Sequence, residues 1–219
     1  MFLFAARFNQ DIGSWDVSSV DDMSFMFNRT DFNRDISEWD VSSVTNMAST
    51  FEDAIKFNQD ISKWDVSSVL NMSRMFESGG NFDQDIGNWD VSSVTDMSFM
   101  FYRGRSFNQD IGSWDVSSVT NMHSMFQNSS FNNNISDWNV SSVTNMSRMF
   151  EDNWDFNQDI GDWDVSSVEI MGTMFRDARS FNQNLNDWCV SDITDEPHDF
   201  SVNSALEESN KPIWGTCPE

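Results

Sequence analysis

Six aspartates, Asp16, Asp40, Asp65, Asp90, Asp115 and Asp164, each directly follow a tryptophan. Six more, Asp11, Asp35, Asp60, Asp85, Asp110 and Asp159, stand four residues before the same tryptophans. Carboxylates in such numbers suit two chemistries: coordination of a hard cation such as Ca²⁺, or acid–base catalysis of the kind that cleaves polysaccharides. The catalytic reading founders on symmetry. Every copy offers the same pair, whereas glycoside hydrolysis needs one acid and one base in different environments. The two histidines, His123 and His198, have no obvious Ser or Cys partner and read as solvated surface side chains. The chain is therefore read as no enzyme. For calcium the candidate ligands are Asp16, Asp40, Asp65, Asp90, Asp115 and Asp164. The Gly-rich nonapeptides of calcium repeats are missing, and one copy carries Asn134 and Asn139 at both acid positions, so a continuous array would skip it. The plainer reading is capping, since Asp-x-Ser-Ser recurs and the Asp oxygens can accept the following Ser amides. Like charges about 4.8 Å apart repel by roughly 3–4 kcal/mol at an effective dielectric near 20. Such columns need solvent, hydrogen bonds or cations.

The spacing of these acids follows from an internal repeat. Trp15, Trp39, Trp64, Trp89, Trp114, Trp138, Trp163 and Trp188 recur every 24 or 25 residues. One copy runs Phe107-Asn-Gln-Asp-Ile-Gly-Ser-Trp114-Asp-Val-Ser-Ser-Val-Thr-Asn-Met122-His-Ser-Met-Phe126. The connector after the final Phe varies at four or five residues: NRTD, EDAIK, ESGGN, YRGRS, QNSS, EDNWD, RDARS. A third polar column, Asn9, Asn33, Asn58, Asp83, Asn108, Asn132, Asn157 and Asn182, is expected to form a buried ladder bonding the backbone of adjacent coils. The Trp-x-Val step has the period of a short strand. Val44, Met47 and Phe51 at i, i+3 and i+7 suit a short helical turn behind a Ser cap. The expected fold is a repeat solenoid, leucine-rich-repeat-like, with one short parallel β-strand and a short helical segment per coil.

The motif F-N-Q-D-I-x-x-W-D-V-S-S-V-T-N-M-x-x-M-F resembles the BspA-like leucine-rich-repeat surface proteins, whose repeat is slightly longer. The resemblance spans nearly the whole chain and implies an extracellular, surface-displayed interaction module. It implies neither a shared ligand nor catalytic residues.

The expected organisation is residues 1–7 as the tail of a preceding truncated repeat, 8–188 as seven full repeats and the start of an eighth, and 189–219 as a C-terminal cap. No secretion signal is read in residues 1–7, so the chain is taken as a fragment. Its uncapped first coil would expose an apolar face suited to end-to-end self-association. Cys189 and Cys217, the only cysteines, favour a disulfide pinning the cap in an oxidising compartment. Closing a loop of about 29 residues contributes roughly 3–4 kcal/mol in the chain-entropy model. Zinc is the alternative, but no second pair stands nearby.

A net charge of −24 disfavours nucleic acid and anionic membranes, which require basic faces. No apolar run approaches the length of a membrane span. Partner-binding residues are sought where the symmetry breaks, in the connectors. Tyr102, Arg103 and Arg105 bring the only Tyr and two cations; Trp154 lies outside the Trp column and is suited to stack on a sugar or anchor a protein. The expected function is a non-catalytic extracellular or cell-surface module that recognises a protein or glycan, as in adhesion. The alternative is a structural spacer, rigidified by calcium.

Overall fold

The structure is a computed structural model that describes residues 2–218. Met1 of the expected truncated repeat and Glu219 of the expected cap lie outside the described residues. Consecutive repeats stack, each coil bonding to its neighbours through backbone and side chain. The secondary structure of a coil differs from the expectation. Among the described residues the only helix is a single 3₁₀ turn, Glu208–Asn210. Strand pairing is confined to six isolated parallel bridges, Asp22–Asn46 through Asn145–Ile170. The leucine-rich-repeat-like solenoid with a strand and a helix per coil is thus overturned. Each coil is a chain of tight turns.

The backbone's hydrogen bonds explain the difference. In the coil from Phe107, turns close Trp114 N–H on Ile111 O, Val119 N–H on Val116 O, Met125 N–H on Met122 O and Ser129 N–H on Phe126 O. The last two place Ser124 and Asn128 at positive φ (55° each), the third position of type II turns. Equivalent residues do so in every coil, among them Ser49, Asp53, Arg74, Ser78, Arg148 and Asp152. Positive φ costs roughly 1–2 kcal/mol at a residue other than glycine and is incompatible with both helix and strand. The offset is axial. The N–H groups of Met122, Ser124, Phe126 and Asn128 leave their own coil and donate to Asn145, Ser147, Met149 and Glu151 carbonyls of the next, at 2.8–3.0 Å. Amides that a helix would bond at i−4 are instead bonded to the following coil.

The apolar residues face inward as their spacing requires, since a turn every three or four residues also points side chains inward. Ile111, Trp114, Val116, Val119, Met122, Met125 and Phe126 are all buried, as are their counterparts. Two Phe columns flank each connector. Phe101 and Phe107 stack at 4.0 Å within a coil, and Phe101 reaches Phe126 in the next at 5.7 Å. Each buried Trp donates its indole N–H to an Ile carbonyl of the preceding coil. Trp39 bonds Ile12, Trp114 bonds Ile86 and Trp138 bonds Ile111, at 3.1–3.2 Å. The bond satisfies the one polar atom of a large buried side chain. On this side the Trp column rather than a backbone ladder joins the coils: Trp114 and Trp138 stand 6.5 Å apart, wider than the roughly 4.8 Å of paired strands.

At the C-terminal end Phe200 packs edge-on against Phe175, and Cys189 is joined to Cys217 by a disulfide. A disulfide is characteristic of an oxidising environment. Among the described residues no helix is long and apolar enough to cross a membrane.

Candidate functional site

The carboxylate columns are occupied in capping. Asp16 accepts both the amide and the hydroxyl of Ser18 through Oδ1, at 3.1 and 2.6 Å, and Asp40, Asp65, Asp90 and Asp164 do the same with the Ser two residues on. Asp115 accepts the Ser117 amide at 3.0 Å. Asn139 replaces Asp in the sixth copy and accepts the same two bonds from Ser141, so the device needs an oxygen rather than a charge. The Ser hydroxyl, then the Ser amide, holds the carboxyls of Asp16, Asp40, Asp90, Asp115 and Asp164 below the ordinary Asp value. The Asp11 column caps the preceding turn in the same manner. Among the described residues no three Asp, Glu, His or Cys side chains stand together as a metal would require.

The Asn column does bond the next coil's backbone. Asn9 Oδ1 accepts the Asn33 amide, Asn33 accepts Asn58, and the series runs through to Asn182 with Glu207 of the cap, at 2.8–3.1 Å. It lies half-buried to exposed rather than buried. His123 also departs from its expected solvation. It is half-buried, with Nδ1 2.7 Å from Ser147 Oγ and its ring edge-on to Phe99, and burial lowers its pKa. His198 is exposed beside Asp199.

The four connector residues divide into two groups. Tyr102 is half-buried, with the Arg103 guanidinium 4.9 Å over its ring. Arg105 and Trp154 instead meet across a cleft of about 190 Å³ lined also by Asn128, Ser129, Ser130, Asp152 and Asp155. The cleft originates in a deletion. The connector Gln127–Ser130 is four residues long, whereas those of the coils below and above have five. Arg105 and Trp154 occupy equivalent connector positions two coils apart, and the short connector leaves a notch between them.

The notch is braced from inside. Asn153, fully buried, donates Nδ2–H to Ser129 Oγ and Phe131 O and accepts the amides of Asp155 and Phe156 through Oδ1. Trp154 is thereby held out, 54% exposed, between two anchored residues. Arg179, from the coil above, lies 4.7 Å over the indole. Arg105 donates to Asn128 Oδ1 at 2.9 Å. Beneath, Glu151 is buried with Gln127 Nε2–H donating at 2.8 Å and Arg148 and Arg176 at 3.8 and 3.5 Å; its desolvation pushes the carboxyl's pKa up. Sequence reasoning missed Asn128, Asp152, Asn153, Asp155 and Arg179. Aligning the connectors residue by residue stacks Ile55, Gly80, Arg105, Trp154 and Arg179 in one column, which was the available signal.

A sequence model of the family described as "Mycoplasma protein of unknown function, DUF285" matches residues 1–111 and again 103–213. No curated protein and no solved structure matches the chain.

Proposed function

The chain belongs to the DUF285 family, and on that premise we propose that it is a non-catalytic recognition module displayed at a cell surface, where it binds a protein or glycan of another surface. The likeness of its WDVSSVTNM core to BspA-like surface repeats supports that location, and the disulfide is compatible with it. The observation that carries the reading is Trp154. It is a large aromatic side chain held half in solvent by a buried asparagine on a scaffold that buries its other seven internal tryptophans from Trp39 to Trp188. Rigid exposed aromatics of this kind dominate recognition surfaces.

The test is a protein and glycan binding array, with adhesion to whole cells, comparing the native chain with one carrying Ala at Tyr102, Arg103, Arg105 and Trp154. Recognition through the connectors predicts at least about a tenfold loss of the leading signal. An unchanged signal in a variant that melts normally refutes it.

A further inference from the structure

Building on the recognition role, and resting on it, we infer that the notch between Arg105 and Trp154 is a binding site for an uncharged hexopyranose. Three features carry the assignment: one free aromatic face, polar groups left unpaired around it, and the balance of charge.

The stacking order decides the first. Arg179 covers Trp154 from the coil above, 4.7 Å from the ring centroid. The residues sharing the cleft with Trp154 come from its own connector and from the coils below. One face of the indole is therefore taken by a cation and the other borders a recess that reaches down two coils to Arg105. A pyranose presents its axial C–H groups as a flat apolar face of matching size, and an aromatic ring with its negative π cloud is the natural partner.

Hydroxyl recognition needs acceptors and donors at the rim of that ring. Among the described residues the Asp152 and Asp155 carboxylates take no hydrogen bond or ion pair, and neither the Ser130 hydroxyl nor the side-chain Nδ2–H of Asn128 is engaged. Each carboxylate can accept two hydroxyls and the Asn and Ser supply donors. These groups are positioned in advance, because Asn153 fixes Trp154 and Asp155 from within while Ser129 is tied to Phe126. Preorganisation lowers the ordering cost that weak ligands fail to meet.

Charge selects the sugar class. The lining holds one cation and two carboxylates on a chain of net −24. Arg105 already donates to Asn128, and Arg179 lies on the covered face. An anionic sugar would meet repulsion that an uncharged one escapes.

The test uses saturation-transfer NMR titrations with methyl glycosides of glucose, mannose and galactose, and with methyl glucuronide as the charged arm. At least one uncharged glycoside is expected to saturate with a dissociation constant on the order of millimolar, as suits a single stacked ring. Trp154→Ala should weaken it at least tenfold and Trp154→Phe should retain it. One Gly inserted between Ser129 and Ser130, which restores the five-residue connector, should abolish it with the melting curve preserved. The inference falls if no uncharged glycoside saturates, if Trp154→Ala binds as tightly as the native chain, or if glucuronide binds tightest. Loss of array or cell binding in Trp154→Ala with no saturable glycoside leaves recognition standing and removes the sugar. A saturable glycoside with cell binding indifferent to Trp154 does the reverse.

Discussion

Two connectors, residues 28–31 and 127–130, are one residue shorter than the other five, and the molecule treats them differently. Both are closed by the same hydroxyl device. Thr30 donates to Phe27 O and accepts the Phe32 amide, as Ser129 does with Phe126 and Phe131. Above that, they diverge. Asp31 reaches up to Lys56 at 2.9 Å and latches the gap with a surface ion pair. The equivalent positions at the second site are Ser130 and Asp155, which do not pair, so that gap stays open. Below, Gln127 bonds the buried Glu151, whereas Asn28, one methylene shorter, leaves its buried Oδ1 without a partner among the described residues. Behind the open gap stands Asn153; behind the latched one stands Ala54. The open notch thus stands at the short connector that lacks, among the described residues, both the latch and the Asp31 N–H to Ala6 O bond of the other, and it has its own internal bracing.

The contrast is sharpest at Asn153. Asn153→Ala removes four side-chain hydrogen bonds at roughly 0.5–1.5 kcal/mol each, so a loss of about 2–4 kcal/mol in urea unfolding is expected, although Ala is native at position 54. A loss below about 1 kcal/mol would make the brace dispensable. Gln127→Leu comes next. It removes a bond to a charged group, worth about 1.5–3 kcal/mol, whereas Asn28→Leu should leave the melting temperature unchanged or raised, since the side-chain Oδ1 has no partner among the described residues. Equal destabilisation by the two would erase the difference. Least is Lys56→Ala. Its ion pair is exposed and contributes under about 1 kcal/mol, falling with added salt.

Much of the fold is legible in the sequence, for reasons that particular residues make plain. The period is written in the Trp column, Asp16 and its equivalents announce their turns by the Ser two residues on, and the disulfide follows from the two cysteines in the terminal segment. The pattern misleads on strand and helix because Val44, Met47 and Phe51 are spaced as on a helix face while lying on successive turns. Spacing reports which side chains point inward; it does not report whether the amides between them bond at i−4 or to the next coil. Only the latter tolerates Ser49 and Asp53 at positive φ. Arg105 and Trp154 stand out by composition, yet nothing in composition places them two coils apart over a deletion. Asn153 escapes notice because a polar residue in a connector reads as solvated, and this one is wholly buried.

The axial amide ladders have an electrical consequence. In each of the six coils that donate from Met23 through Asp152 four backbone N–H groups point toward the C-terminal neighbour, and in the next coil Thr173, Phe175 and Asp177 do so, outnumbering the two of opposite sense that run through the Thr45 and Asn33 amides and their equivalents. Peptide dipoles aligned in this way sum along the stack. The positive end lies at the C-terminal face, the reverse of an α-helix. That face is closed by a segment bearing Asp195, Glu196, Asp199, Glu207 and Glu208, so the cap brings negative charge to the pole that attracts it. The stack is a polar rod with its acid terminus matched to its own field, and its two ends are electrostatically unlike.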